Sequence, residues 1–222
     1  MWELIRVGTY GWQWSQWQGG FYPEDLPEDW QLDFYANYFR TVLVPQAQWL
    51  QWTDEHCEDL VEAVSLDEDV FDSFEAYLEQ PPFLFYLSIE QVLSELDLLQ
   101  FQQVKRALGD YFAGCIESEA LKARGSGLYF QVSNLEPAID GSLGIYPLDL
   151  KEPREQGTWA KAFIQQVNAI KGELEQPLNK NFQHRLAMVD LPVFVGQKNH
   201  QWRPPLNPEQ AKSLKLLLEM LT

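Results

Sequence analysis

Short apolar runs rich in β-branched and aromatic residues recur along the chain, at Leu4–Gly8, Thr41–Val44, Phe83–Ile89, Leu128–Ser133, Leu143–Tyr146 and Pro192–Gly196. Their lengths and flanking Gly and Pro residues predict six strands. Between them the apolar positions take up helical spacing. Trp30, Phe34 and Tyr38 fall at i, i+4 and i+8, and Trp159, Phe163, Val167, Ile170 and Leu174 trace one stripe. Thr53 to Val64 reads as a helix, and Ser88 with Gln91 reads as a capping box for a helix carrying Val92, Leu96 and Leu99. The last helix has the clearest start signal, with Asn207 at the N-cap, Pro208 in the first turn and Gln210 third, ahead of Ala211, Leu214, Leu218 and Leu221.

Strand alternating with helix argues for an α/β domain with a mainly parallel sheet and helices outside it. Leu186–Val189 could be a seventh strand, so a full set of eight is not demonstrated. Pro/Gly punctuation near Pro81-Pro82, Gly125 to Gly127, Glu136 to Gly144 and Pro204-Pro205 marks loops, and none separates two regions each large enough for its own core. Residues 1–222 therefore read as a single domain, and 222 residues are just enough for a small (β/α)-type barrel. In such a barrel the strand ending at Gly8 should lie in the same sheet as Pro192–Gly196.

Charge narrows the partners. Residues 1–110 hold 21 acidic side chains against Arg6, Arg40, Lys105 and Arg106, so this half carries the whole net charge of −17. Such a surface repels phosphate backbones, which makes nucleic acid an unfavourable partner of this half, while a local basic groove in the charge-balanced second half stays open. No apolar run reaches the length of a membrane span, and the opening residues lack the basic and apolar regions of a secretory leader, so the expected compartment is cytoplasmic. Cys57 and Cys115 stand apart without CxxC spacing; reduced thiols are the simplest reading, and a disulfide between them stays open.

The run Asp67-Glu68-Asp69 with Asp72 puts four carboxylates within six residues but contains no Gly for an EF-hand turn, and it suits the solvated face of a helix through Val70, Phe74 and Tyr77. His56 and Cys57 are adjacent and diverge on a helix, His184 and His200 lack metal-ligand spacing, and the glycines form no phosphate-binding fingerprint. No metal and no nucleotide cofactor is expected.

The segment Ile5-Arg6-Val7-Gly8-Thr9-Tyr10-Gly11-Trp12, followed by Trp14, Trp17, Gly19-Gly20 and Phe21-Tyr22-Pro23, resembles the opening of the YecE-like family, the domain of unknown function 72. Leu32 to Val42 is similar to the family's next helix and second strand. The resemblance is clear over residues 4–42, weaker over Pro192 to Leu221, and hard to trace between. It implies a TIM-barrel-like fold with a cleft at the carboxyl ends of the strands, beside the loop after Gly8. Loops at that end carry function in such barrels generally.

The departures from the family pattern bear on chemistry. Where the family has a Glu and an Asn after its second strand, this chain has Leu43 and Pro45. Phe83 to Ser88 lacks the family's Lys, Leu143 to Leu148 lacks its Arg and His, and Gly196-Gln197-Lys198 replaces its FNN element. Glu117 matches a strand-borne Glu of the family, and His200 a nearby polar position. General acid–base chemistry needs several such groups converging on one point, so their joint loss implies a catalytically degenerate barrel that binds a small molecule or a protein partner. The alternative is a barrel hydrolase or isomerase acting on a sugar-like or phosphoester substrate through Glu117, Asp140, Asp149 or His200.

The candidate ligand-binding residues are Thr9 and the aromatic set Tyr10, Trp12, Trp14, Trp17 and Tyr22. Such rings can stack on a sugar or base at a cleft, and they can equally plug the end of a barrel as core. Because no spacing supplies convergent metal ligands, elemental analysis of the purified protein is expected to find no stoichiometric zinc, iron or manganese; about one atom per chain would contradict this.

Overall fold

A computed structural model of the chain describes residues 5–65, 81–117, 145–147, 153–174, 191–198, 201–203, 205 and 208–221. Its strands are β1 (Ile5–Tyr10), β2 (Thr41–Val44), β3 (Leu84–Ile89), β4 (Phe112–Glu117), β5 (Ile145–Pro147), β6 (Leu191–Lys198) and β7 (Gln201–Trp202). The helices are α1 (Gln31–Ala36), α2 (Gln46–Trp49), α3 (Asp54–Val64), α4 (Glu95–Leu108), α5 (Pro153–Leu174) and α6 (Glu209–Leu221).

All strands join one sheet in the order β4-β3-β2-β1-β6-β5, every neighbouring pair parallel, with β7 antiparallel on β6. The expected pairing of first and last long strands is present, with Val7 opposite Val193 and Thr9 opposite Val195. The short β7 and the strand β4 have no clear sequence signal; Ala113 and Gly114 in β4 are weak strand formers. The predicted strands at Leu128–Ser133 and Leu186–Val189, the acidic run from Asp67 to Asp72, and Asn207 lie outside the described residues.

Both faces of the sheet are buried, which is why β2 and β3 read as unbroken apolar runs rather than alternating ones. One face, through Val7, Val42, Val44, Phe85, Leu87 and Val195, packs on the helices. Leu32 and Tyr35 of α1, Cys57 and Leu60 of α3, Phe101 and Val104 of α4, Phe163 of α5 and Leu214 of α6 all join that cluster. The other face forms a separate cluster from Tyr10, Leu43, Leu84, Tyr86, Ile116 and Phe194, to which no described helix contributes.

That second cluster reports curvature. β3 and β6 are three strand positions apart, about 14 Å in a flat sheet. Yet the Tyr86 and Phe194 rings lie 5.3 Å apart edge to face. The sheet therefore rolls around this face, as in a barrel, with the helices on its convex side. Its outer strands, β4 and β5, are not paired with each other among the described residues, so the architecture shown is a curved parallel α/β sheet compatible with a TIM-like fold, without demonstrated closure.

Two helices bury a different face from the one their spacing suggested. In α1 the buried set is Leu32, Tyr35 and Ala36, continued by Phe39, while Trp30 is 64% exposed and Tyr38 is exposed as well. In α4 the helix starts at Glu95, capped by a reciprocal Ser94–Asp97 box, whereas Ser88 belongs to β3. Leu96 and Leu99 point outward at 76% and 68% exposure, and Phe101, Val104 and Leu108 face the core. In both segments apolar residues occupy more than one stripe, so periodicity alone does not select the buried one.

Thr53 caps α3 by accepting from the His56 N–H, as expected for that helix. Ala211, Leu214 and Leu218 of α6 are buried, and the Pro208 carbonyl accepts from Ala211 and Lys212 in its first turn. Among the described residues no helix is long and apolar enough to cross a membrane. Cys57 and Cys115 are both buried free thiols, so the disulfide alternative falls away.

Trp17 is buried to 1% exposure among Phe21 and Tyr22, and its indole N–H donates to the Pro205 carbonyl at 2.9 Å. Trp17→Ala is expected to cost about 3–5 kcal/mol of stability, from the lost ring and the cavity it leaves. Urea denaturation of the variant checks this through its midpoint.

Candidate functional site

At the carboxyl end of β1 the chain turns at Gly11, whose φ of 69° belongs to the left-handed region. A Cβ there would sit 2.6 Å from the Trp14 ring, so only Gly lets the indole fold back. Trp14 then stacks on Tyr10 with centroids 6.1 Å apart, and its indole N–H donates to the Tyr10 carbonyl at 2.9 Å. From the other side β6 presses on the same residue: a Cβ on Gly196 would meet the Tyr10 Cβ at 2.4 Å. Tyr10 is thus fixed on the concave face, above the floor made by Leu43, Tyr86 and Phe194.

The Tyr10 hydroxyl donates to Glu90 Oε1 at 2.7 Å. The same oxygen accepts from the Ser88 hydroxyl at 2.7 Å and from the Gln46 backbone N–H at 3.1 Å. Gln46 returns the contact, its side-chain carbonyl accepting from the backbone N–H groups of Glu90 and Gln91 at 2.6 and 2.8 Å. A Gln48 side-chain N–H donates to the Gln13 side-chain oxygen, linking α2, which follows β2, to the loop after β1. The loops that follow β1, β2 and β3 are therefore laced together around one carboxylate. Burial, reinforced by the hydrogen bond to Glu90 and by its charge, raises Tyr10 well above the ordinary phenol value, so the phenol stays a donor.

The other candidate ligand-binding residues are placed differently. Trp12, Trp17 and Tyr22 are each 1% exposed and belong to the cluster between sheet and helices. The Tyr22 hydroxyl donates to the Trp12 carbonyl at 2.7 Å. Thr9 is fully buried: its hydroxyl donates to the Gly11 carbonyl at 2.6 Å, and its N–H donates to the Tyr35 hydroxyl at 3.0 Å. These four residues hold the strand end in place, and the structure brings Tyr10 and Trp14 of the set to the concave side. Glu117 is the last residue of β4, in register with Ile89. His200, Asp140 and Asp149 lie outside the described residues.

Leu43 occupies the inner face of β2 and Pro45 starts α2, so the positions where the family carries Glu and Asn are apolar here. Sequence reading missed Glu90, Ser88 and Gln46. The available signal was that Glu90 is the first charged residue after the apolar run of β3, at the strand end where such folds place polar groups. Assigning Ser88 to a helix cap hid it. Among the described residues no group of three or more His, Cys, Asp or Glu could hold a metal ion.

A curved parallel sheet flanked by helices, with a polar cluster at its strand ends, defines an α/β protein compatible with a TIM-like fold. Residues 6–65 match the model of the family described as "Protein of unknown function DUF72", which is the YecE-like family, so the likeness of the opening segment is shown over that span. Comparison with curated proteins gave no match, and comparison with solved structures gave none.

Burial raises Tyr22 and Tyr35 above the ordinary phenol value as it does Tyr10, and burial with the charges of Asp54 and Glu58 pushes the Cys57 thiol up to about 11. Folded-state values above the ordinary ones favour the protonated, folded form. The stability these groups lend is complete below the ordinary thiol value of 9.0 and drains away as pH rises past it. Denaturant midpoints are expected to fall between about pH 9 and 11, and Cys57→Ala to flatten part of that fall. An ultraviolet titration should show these three phenols ionising only as the chain unfolds.

Proposed function

We propose that this is a catalytically degenerate barrel-type protein that binds a small, uncharged, hydroxyl-bearing molecule at the strand ends. The observation that carries this reading is the fixed carboxylate of Glu90 on the Tyr10 hydroxyl, with Trp14 stacked on the Tyr10 ring over an apolar floor. A carboxylate already ordered by three hydrogen bonds accepts from ligand hydroxyls without further ordering cost. The Trp14 indole, stacked on Tyr10 by one face, offers its other flat apolar face to a ring of C–H groups. Leu43 and Pro45 supply no proton donor or acceptor side chain of the kind acid–base catalysis needs.

One observation favours a second reading, a barrel enzyme. The Tyr10–Glu90 pair, at 2.7 Å, is a phenol–carboxylate couple that could pass a proton to or from a substrate.

The test is a tryptophan-fluorescence titration with monosaccharides and polyols, alongside sugar phosphates. The neutral ligands are expected to bind, Trp14→Ala to remove most of the signal, and Glu90→Gln to weaken binding about tenfold, as for loss of a charged hydrogen-bond acceptor. Glu117→Gln should leave binding within a few-fold. A Glu90→Gln variant that binds normally but loses a measurable turnover would replace the binding reading with the enzyme one.

A further inference from the structure

The stripe Trp30, Phe34, Tyr38 reads in the sequence as the buried side of a helix; the structure leaves its ends Trp30 and Tyr38 exposed, while Phe34 packs half-buried against the core cluster. Trp30 is 64% exposed and makes no ring contact among the described residues. Around it stand Glu24, Asp25, Glu28, Asp29 and Asp33, all exposed, and none is ion-paired among the described residues. Residues 7–39 contain no Lys or Arg. At the Trp30 end this segment offers an exposed indole and five exposed carboxylates close to it in sequence, while Lys212 and Lys215 of α6 reach the other end at Tyr38.

This surface is held in shape before anything binds. The Gln18 side-chain N–H group donates to three main-chain carbonyls of the following loop, those of Pro23, Glu24 and Leu26, at 2.8, 2.9 and 3.2 Å. Gln31, in the first turn of α1, donates in turn to the Gln18 oxygen at 3.4 Å. The carboxylates and Trp30 therefore sit on a pinned loop, which lowers the ordering cost of an encounter.

The other end of the stripe shows what such rings accept. The Lys212 ammonium of α6 lies 4.2 Å from the Tyr38 ring centre and 4.9 Å from that of Phe21, while pairing with Glu209 at 2.7 Å. A cation over an aromatic face with a carboxylate beside it is the arrangement that Trp30 and its acidic neighbours offer unfilled.

We propose that the face formed by Trp30 and the carboxylates from Glu24 to Asp33 docks a basic segment of a partner protein, a stretch of lysine or arginine interspersed with apolar residues. Charge decides against the other occupants. A second copy would bring its own excess of carboxylates, and nucleic acid and anionic lipid surfaces are repelled. The partner's cation sits over Trp30, its neighbouring cations pair with Glu28, Asp29 and Asp33, and an apolar residue lies along the half-buried Phe34.

Fluorescence anisotropy of a labelled peptide carrying lysines and leucines at helical spacing, titrated with the full chain, tests this. The peptide is expected to bind, and added salt to weaken it. Trp30→Ala should weaken binding roughly fivefold or more, as for loss of a cation–π contact and its apolar area. Glu28→Gln with Asp29→Asn should weaken it and flatten its salt dependence. Glu58→Gln with Asp59→Asn, the same charge removed from the exposed side of α3, should leave it unchanged. Because Trp30 is exposed, its variant should keep the circular dichroism of the parent, and the Glu28/Asp29 variant tests the face independently. The proposal is overturned if Trp30→Ala binds like the parent, if the α3 variant weakens binding as much as the Glu28/Asp29 variant, or if sedimentation shows a Trp30-dependent dimer without peptide binding.

Discussion

A parallel sheet whose two faces are both kept from water is the constraint on which the rest of the molecule depends. Parallel strands need crossovers, and the crossovers lay helices on one side; the opposite side must be covered by other means. Here the sheet covers it by rolling, so that Tyr10, Leu43, Tyr86, Ile116 and Phe194, from five different strands, meet each other. A sheet rolled this way collects the ends of its strands into one place. Side chains at those ends become neighbours although they are far apart in sequence.

The polar cluster around Glu90 follows from that geometry. Tyr10 and Glu90 are 80 residues apart and Gln46 and Glu90 are 44 apart, yet each pair bonds directly. Hydroxyls and a main-chain N–H converge on a single carboxylate oxygen, satisfying groups that would otherwise be costly to hold away from water. Loops tied at their bases leave less motion for the residues beyond them, which is the condition for a site of defined shape.

The strand–helix alternation was legible because most strands are buried on both faces and so stand out as apolar runs. Thr41–Val44 was bounded as the structure has it, and the Gly8 to Tyr22 pattern carried enough spaced Gly, Trp and Pro to identify a family likeness. What could not be read was which stripe of an apolar-rich helix turns inward. Trp30 and Leu96 have the composition of core residues and the location of surface ones. Of the aromatic set, Tyr10 and Trp14 reach the concave side, whereas Trp12, Trp17 and Tyr22 are buried between sheet and helices, a division that spacing does not encode. Glu90 stayed hidden, because its partners are recognisable only after the strands are laid side by side. A carboxylate between Ile89 and Gln91 looks the same in a sequence whether it faces solvent or a ring of donors.

The position of β1 between β2 and β6 has a consequence for how the chain assembles. One side of β1 finds its neighbour within about forty residues, while the other waits for a strand nearly two hundred residues downstream. During synthesis β1 therefore presents an open hydrogen-bonding edge for as long as ribosomes take to add roughly 150 residues, many seconds at ordinary rates. An open edge on an apolar strand is a template for pairing with another nascent chain. The acidic excess of the first 110 residues opposes such pairing, because chains of like charge repel each other.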